Sequence, residues 1–172
     1  MDLILEKLKS IVGSDFWKST SSENLKYFND INNYQNGLPS IILLPTSTIQ
    51  ISQILKICNN YKLPVSIQGG MTGLVQGAVP FNNEIVISLE KMNAIVEFDK
   101  TSLSAIVQSG VALENFQNFL DEKNLFFPLD LGSKGSCSIG GNLSTNAGGA
   151  RVIKYGMMRS LTLGLEVVLA DG

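Results

Sequence analysis

Two stretches of this chain combine glycine with small polar side chains in a pattern that suits phosphate binding. The longer stretch, Pro128–Gly149, carries glycine, serine, threonine and asparagine between spaced apolar residues. The shorter stretch, Gly69–Gly77, directly follows a predicted strand. Glycine lets a ligand approach the backbone, and consecutive exposed N–H groups at a turn or helix start bind anions. The longer stretch therefore predicts an ordered loop and short helix for a phosphate-bearing cofactor with a polar aromatic ring.

The shorter stretch predicts a loop that aims N–H groups at a pyrophosphate, although its motif alone is weakly specific. No two glycines in the chain stand two residues apart, which excludes the G-x-G-x-x-G fingerprint of dinucleotide-binding folds. The G-x-x-x-x-G-K-[ST] P-loop is absent as well. A glycine-rich turn without any ligand stays open as the alternative for both stretches.

The residue types that are missing restrict the chemistry. The chain contains no histidine, which excludes histidine-ligated zinc, a serine–histidine–aspartate triad and a cofactor attached through histidine. Its two cysteines, Cys58 and Cys137, make no disulfide framework and favour a reducing compartment. Chemistry that needs an imidazole must therefore come from elsewhere, and we predict no metal site within this chain.

Composition indicates a globular protein without a nucleic-acid partner. The 172 residues are 44% hydrophobic and 16% charged, which is enough for a sizeable core. Thirteen basic and 15 acidic residues give a net charge of −2, which argues against nucleic acid. No apolar run has the length of a transmembrane segment, and residues 1–7 lack a signal-peptide pattern. We expect a cytoplasmic location, including the periphery of the inner membrane.

Hydrophobic periodicity predicts a mixed set of helices and strands. Strand Ser40–Leu44, a helix through Ile51–Cys58 and strand Pro64–Gln68 form a βαβ unit with a parallel strand pair. The other predicted elements are a helix at 3–12, strands at 84–89, 95–98 and 103–108, a helix at 112–123 and a strand at 167–170.

The predicted organisation is an N-terminal helical and irregular lead-in, residues 1–39, followed by one domain, residues 40–172. Within that domain we place lobe 1 at about 40–109 and lobe 2 at about 110–172. Each lobe contributes one glycine-rich loop, and cofactor sites tend to form where lobes meet. Asp171-Gly172 resembles the first half of a hairpin turn, so we expect the domain to be truncated at its C-terminal end.

These motifs, taken jointly and in order, resemble the PCMH-type FAD-binding domain of the vanillyl-alcohol-oxidase type flavoproteins. The resemblance is strongest to FAD-linked D-2-hydroxy-acid dehydrogenases: D-2-hydroxyglutarate dehydrogenase, D-lactate dehydrogenase and the glycolate oxidase flavin subunit. It covers the chain from about Ser40 to the end and implies an α+β, two-lobed fold. The matching pieces are Gln68–Val75, Pro128–Cys137, Ile139–Asn142, Thr145–Gly149, Arg151, Tyr155-Gly156 and Gly164–Gly172.

The resemblance also implies the cofactor-binding residues. The first loop would hold the FAD pyrophosphate through backbone N–H groups of Gly69, Gly70, Met71, Thr72, Gly73 and Leu74, and Gln68 before it would be a further cofactor-binding residue. The second would line the flavin and ribityl chain with Pro128, Leu129, Gly132, Gly140, Gly141, Asn142, Thr145, Asn146, Gly148 and Gly149, together with Tyr155 and Gly156. The segment near Val167 would meet the adenine. Met71 departs from the family, where asparagine or glycine is commoner; a backbone contact survives that change, whereas a side-chain hydrogen bond does not.

The activity implied by the resemblance is oxidation of a D-2-hydroxy acid to the 2-oxo acid, with hydride transfer to flavin N5. FAD would be bound non-covalently because the chain lacks histidine. The family's substrate and acid/base residues lie in a C-terminal domain that is absent here, so the resemblance implies no catalytic residue in this chain, which alone is expected to be inactive. Electrons would pass to a quinone or an electron-transfer flavoprotein. The alternatives are an FAD-dependent sugar or alcohol oxidase on the same fold, a non-catalytic flavin-binding fragment and a structural domain without cofactor.

Overall fold

The computed structural model describes residues 2–172 and contains both helices and strands. In chain order the elements are α1 (Asp2–Val12), β1 (Trp17–Lys18), β2 (Ile41–Leu43), α2 (Thr48–Tyr61), β3 (Val65–Gln68), β4 (Ile85–Ser88), β5 (Ile95–Asp99), β6 (Ser104–Val107), α3 (Leu113–Asp121), α4 (Ile139–Ser144) and α5 (Val152–Tyr155). Short 3₁₀ turns lie at Ser22–Tyr27, Leu89–Lys91 and Met158–Leu161. No helix within residues 2–172 has the length and apolar character needed to cross a membrane.

The internal contacts divide the chain into two compact units. Unit 1 contains Met1–Lys91 together with Glu166–Gly172, and unit 2 contains Met92–Leu165. The predicted lobes stay a prediction, because a division by contacts is not a domain assignment.

A four-stranded sheet with the order β1-β2-β4-β3 forms the centre of unit 1. Strand β4 pairs in parallel with β2 on one side and β3 on the other, while β1 is antiparallel to β2. The βαβ prediction is correct in strand direction and wrong in adjacency, because β4 lies between β2 and β3. Periodicity indicates that a strand exists but not which neighbour it pairs with.

Both faces of the central strands β2 and β4 are buried, which explains their uninterrupted apolar sequences. Ile41, Leu43, Ile85 and Ile87 join one core with α1 and α2. Their alternating neighbours Ile42, Leu44 and Val86 join a second core with Tyr27 and Phe28. The lead-in therefore completes the fold of unit 1.

Helix α2 contains the predicted helical stretch Ile51–Cys58 and begins at a serine cap. The Ser47 side chain accepts a hydrogen bond from Gln50 N, and Ile54, Leu55 and Cys58 are buried. Burial raises the pKa of the Cys58 thiol to about 11, which keeps it protonated at neutral pH. Cys58 is therefore a small core residue.

The C-terminal segment corrects another expectation, because the predicted strand at 167–170 is not formed. Glu166 Oε2 accepts a hydrogen bond from Thr48 Oγ1 at 2.8 Å, and Gly172 O accepts one from Ser52 Oγ at 2.5 Å. Val168 packs against the first core of unit 1. No described strand pairs with this segment, so its alternating apolar side chains are not accompanied by a hydrogen-bond ladder.

Unit 2 is a two-stranded antiparallel sheet, β5 and β6, with α3 and the second glycine-rich loop. Leu113, Phe116 and Leu120 of α3 are buried, and Phe119 stacks edge-on against Phe98 with ring centroids 5.9 Å apart. Cys137 and Ile139, from the loop and α4, belong to the same core. The longer stretch is therefore an ordered loop that leads into a short helix, as its sequence predicts.

Gly140 allows a close contact that holds α4 against the chain before α3. Its N–H donates to Ser109 O at 2.8 Å, and a Cβ at this position would lie 2.6 Å from Ser109 Cβ and 2.9 Å from Ser109 O. The clash would displace either α4 or the Ser109 backbone. The glycine is thus required by packing within unit 2.

We predict that Gly140→Ala lowers the free energy of unfolding by about 1–3 kcal/mol, the usual cost of overpacking. The matched control is Gly132→Ala, since a Cβ at Gly132 meets nothing within 4 Å; it should stay within about 0.5 kcal/mol of the parent. Urea unfolding followed by circular dichroism measures both. Equal stability of the two variants would contradict the assigned contact.

Candidate cofactor-binding site

The first glycine-rich loop leaves β3 at the carboxyl edge of the parallel sheet. Strands β2, β4 and β3 run in the same direction, so their carboxyl ends share one edge. Ligands of open α/β sheets bind outside this edge. The predicted residues Gln68–Leu74 therefore lie where the topology favours a ligand.

The backbone N–H groups of this loop have no acceptor within the described chain. No amide from Gly69 to Ala78 donates a hydrogen bond within the part of the chain that the structure describes; the next amide, Val79 N, donates to Gln76 O. Gly73–Gly77 are exposed, so their N–H groups are open to water or to a ligand. Clustered unpaired N–H groups suit an anion rich in acceptor oxygens, such as a pyrophosphate.

The side chain of Gln68 holds the two ends of this loop together. Gln68 is fully buried, and its Nε2 donates to Ala78 O and to Tyr27 O, both at 2.9 Å. The amide thus connects the end of β3, the far end of the loop and the lead-in. The hydrogen bonds of Gln68 thus support the loop, and direct contact between Gln68 and a cofactor stays a prediction.

A second tie fixes the lead-in beside the same sheet edge. Glu90, just after β4, accepts hydrogen bonds from Tyr27 Oη at 2.9 Å and Lys26 Nζ at 2.8 Å. Burial opposes ionisation of Glu90, but the hydrogen bonds from Lys26 and Tyr27 outweigh it and lower its pKa. Residues 26–30 are therefore held against the strands that carry the loop.

Left-handed backbone in this loop occurs at residues other than glycine. Met71 has φ 54° and Gln76 has φ 61°, whereas Gly69, Gly70 and Gly73 are not in the positive-φ region. Asparagine and glycine adopt this region readily, but methionine does so at a cost of about 1–2 kcal/mol. Met71 therefore occupies a left-handed backbone position, which asparagine or glycine, the commoner residues of the family, would adopt with less strain.

Most donors at the start of α4 are already used, unlike those of the first loop. Ile139 N and Gly140 N donate to Val111 O and Ser109 O, while Gly141 N and Asn142 N donate to the Ser138 side chain and carbonyl. These donors are therefore not free for an anion, and a cofactor contact of the second loop stays a prediction. Nearby chain segments supply acceptors, which local sequence cannot indicate.

The glycines of the second loop serve different purposes. Gly149 has φ 82°, and its added Cβ would collide with Asp130 O, where the two segments form a parallel bridge. Packing within unit 2 therefore explains why glycine occupies position 149, as it does for Gly140. Gly132 faces open space, which leaves room for a ligand.

Several polar side chains of the second loop bond to their own unit. The Asn142 amide donates to Cys137 Sγ at 3.5 Å, Thr145 Oγ1 donates to Gly141 O at 3.0 Å, and Asn146 Oδ1 accepts from Arg159 N at 3.0 Å. Leu129 is a core residue whose carbonyl accepts from Gln117 Nε2 at 2.6 Å. These groups are therefore held by contacts within unit 2, and the loop's predicted cofactor contacts stay a prediction.

The remaining predicted positions lie in two places. Tyr155 of α5 meets Phe126 edge-on with ring centroids 5.8 Å apart, and Arg151 lies over Phe126 and beside Asp130. Gly156, which has φ 81°, ends α5. Val167 is exposed on the C-terminal segment of unit 1.

Asp30 borders a small cavity beside the first loop, and the sequence analysis did not identify it as a site residue. It is 7% exposed and borders a cavity of about 20 Å³ together with Met71, Gly73, Gln76, Gly77, Ala78 and Val79. The only sequence signal was a polar Asp-Ile-Asn-Asn turn in the lead-in, and that pattern does not indicate burial.

Among residues 2–172 no group of three or more potential metal ligands was found.

Comparison with known proteins gives the family. The profile of the FAD binding domain matches residues 39–172. A Schizosaccharomyces pombe protein that carries the name of a mitochondrial D-lactate dehydrogenase is 48% identical over 175 residues, covering 98% of this chain and 33% of that protein. The mitochondrial D-2-hydroxyglutarate dehydrogenase of Danio rerio is 46% identical over 164 residues, covering 95% and 30%.

Among solved structures, an alkyldihydroxyacetonephosphate synthase superposes with a TM-score of 0.82 at 19% identity, covering 92% of this chain and 31% of that one. The chain belongs to the FAD binding domain family, and FAD is its cofactor. The fold class predicted from sequence, an α+β FAD-binding domain of the vanillyl-alcohol-oxidase type, is confirmed. The unpaired amides and open glycines of the first loop fit such a cofactor. The chain spans about a third of the length of these curated relatives.

The expected cytoplasmic location is wrong on this comparison, because both curated relatives are named as mitochondrial proteins. The expectation rested on unpaired cysteines and on the first residues of the chain. Free thiols separate reducing from oxidising compartments, but they do not separate one reducing compartment from another.

We predict that Gly73→Val removes FAD without unfolding the protein. A Cβ at Gly73 meets nothing within 4 Å of the chain, so stability should change by less than about 0.5 kcal/mol. The valine would instead occupy space beside the unpaired amides. The measurement is the flavin-to-protein ratio of the full-length protein after gel filtration.

Gly164→Val is the matched control, because Gly164 is equally open and lies outside both loops. It should retain FAD like the parent. A folded Gly73→Val variant with a full complement of FAD would show that the cofactor does not approach this loop.

Proposed function

We propose that this chain is the FAD-holding portion of an oxidoreductase that converts a D-2-hydroxy acid into the 2-oxo acid. The observation that carries the proposal is the run of unpaired amides from Gly69 to Ala78 at the sheet edge. It occurs in a chain that is nearly half identical to proteins named for D-lactate and D-2-hydroxyglutarate. We also propose a mitochondrial location, on the names of the same relatives.

The two loops would divide the work of holding the cofactor. Backbone N–H groups of the first loop would bind the pyrophosphate, with Gln68 and Met71–Leu74 shaping the loop. The second loop, including Pro128, Gly132 and Gly148, would line the flavin and ribityl chain, and Val167 would meet the adenine. Bound FAD would accept the two electrons of the reaction, and the protein would orient it and tune its surroundings.

The acid/base group and the substrate's carboxylate partner would come from outside these 172 residues. A neutral-pH proton acceptor is most often histidine, and the chain contains none. The remaining two-thirds of the whole protein, by comparison with its relatives, would supply both. Electrons would then pass to a quinone or an electron-transfer flavoprotein.

D-2-Hydroxyglutarate and D-lactate are the leading substrates because they appear in the relatives' names. Glycolate is a weaker third choice, since neither of these names includes it. A sugar or alcohol oxidase on the same fold is the rival function, and structural neighbours below 25% identity favour neither.

We expect the full-length protein to be reduced by D-2-hydroxyglutarate or D-lactate but not by the matching L-enantiomers. Anaerobic bleaching of the flavin absorbance measures this directly, and reduction of an artificial dye acceptor measures turnover. Bleaching by a sugar or a phenolic alcohol, with none by the D-hydroxy acids, would overturn the proposed substrate class.

We expect the flavin to be bound non-covalently. Histidine is absent, and the one cysteine in the loops, Cys137, is 3% exposed within the core of unit 2. Acid precipitation should therefore leave the yellow colour in the supernatant. Colour that stays in the pellet, and disappears from it in a Cys137→Ala variant, would identify a cysteinyl link instead.

A further inference from the structure

Asp30 is a buried carboxylate of the lead-in with only one of its two oxygens in use. Its Oδ1 accepts hydrogen bonds from Asn32 N at 2.8 Å and Tyr34 N at 2.9 Å, which closes a tight turn. Its Oδ2 is buried and has no partner within residues 2–172. A buried acceptor without a donor costs about 1–3 kcal/mol, and more when it carries charge. An arrangement of this kind requires a donor from elsewhere.

Two further unpaired oxygens belong to the same part of unit 1. Gln68 Oε1 and Asn29 Oδ1 are also buried and lack partners in the described chain. Asn29 adjoins Asp30, and Gln68 bonds to Tyr27 O through Nε2. All three are acceptors, whereas the backbone N–H groups of the neighbouring loop are unpaired donors. The site therefore needs a ligand that carries both kinds of group.

The cavity beside Asp30 is bordered by residues of this same loop. Its volume is about 20 Å³, which accepts one water-sized group. A pyrophosphate supplies acceptor oxygens for the loop amides, and a sugar hydroxyl attached next to it supplies a donor for a carboxylate. FAD contains this combination twice, in its ribityl chain and in its ribose.

We propose that Asp30 is an FAD-binding residue whose Oδ2 accepts a hydrogen bond from a sugar hydroxyl next to the pyrophosphate. The inference rests on the proposed pyrophosphate role of the first loop. Dinucleotide-binding folds likewise place an acidic side chain on a ribose hydroxyl beside a pyrophosphate.

The test is Asp30→Asn in the full-length protein. Asparagine keeps an oxygen for the Asn32 and Tyr34 amides but replaces the second acceptor with a donor. The apoprotein should therefore unfold at the parent's urea concentration, while its dissociation constant for FAD rises about tenfold to a hundredfold. Flavin fluorescence quenching measures binding, and Asp15→Asn, at an exposed carboxylate, is the control.

ADP distinguishes the two hydroxyl sources. If Asp30 contacts the ribose, Asp30→Asn weakens ADP and FAD binding alike; if it contacts the ribityl chain, only FAD binding weakens. Unchanged FAD affinity in a folded Asp30→Asn variant would overturn the inference and indicate that Oδ2 binds a buried water. If FAD binding survives in Gly73→Val as well, the proposed position of the pyrophosphate fails too.

Deoxy analogues of FAD, each lacking one ribityl or ribose hydroxyl, make the test independent of the variant's folding. One analogue should bind the parent protein at least about tenfold more weakly than FAD and should lose this difference in Asp30→Asn. If every analogue binds the parent as tightly as FAD, no sugar hydroxyl is recognised and the inference is wrong.

Discussion

The carboxamide of Gln68 is the interaction on which the cofactor loop depends. One buried NH₂ group joins the end of a parallel strand, the far end of the loop at Ala78 and the lead-in at Tyr27. A flexible ten-residue segment would otherwise lose considerable conformational entropy on ordering. Because one side chain holds both ends of the loop, this entropy is lost during folding rather than during cofactor binding.

The two glycine-rich loops look alike in sequence and differ in how their hydrogen-bonding groups are used. The first leaves its amides unpaired from Gly69 to Ala78. In the second loop, the amides at the start of α4 donate hydrogen bonds to Val111, Ser109 and Ser138. An unpaired donor is available to an anion, whereas a paired donor stiffens the backbone. The first loop is thus suited to charge recognition, and the second to presenting a fixed surface.

Local pattern was sufficient for most of the elements and for the family, and it was insufficient for long-range partners. Continuous apolar runs identified β2 and β4 because both their faces are buried, and the ordered motifs identified an FAD-binding domain. The insertion of β4 between β2 and β3, the acceptors that use the amides of α4, and the unformed strand near Val167 all depend on contacts between distant residues. Asp30 was missed for the same reason: its turn is visible in sequence, but its burial depends on the loop 40 residues later.

Strain in the first loop follows from the same clamp. Met71 and Gln76 adopt left-handed backbone that their side chains disfavour, and such residues persist where the surroundings over-determine them. Gln68 supplies that constraint by joining the two ends of the loop, while the ion pair of Lys26 with Glu90 holds the lead-in to the segment after β4. A loop that its own unit holds in one conformation loses little further conformational entropy when it binds its ligand. The unpaired amides and the unpaired Asp30 oxygen are then two parts of one preorganised surface, complementary to a molecule that carries phosphate and hydroxyl groups side by side.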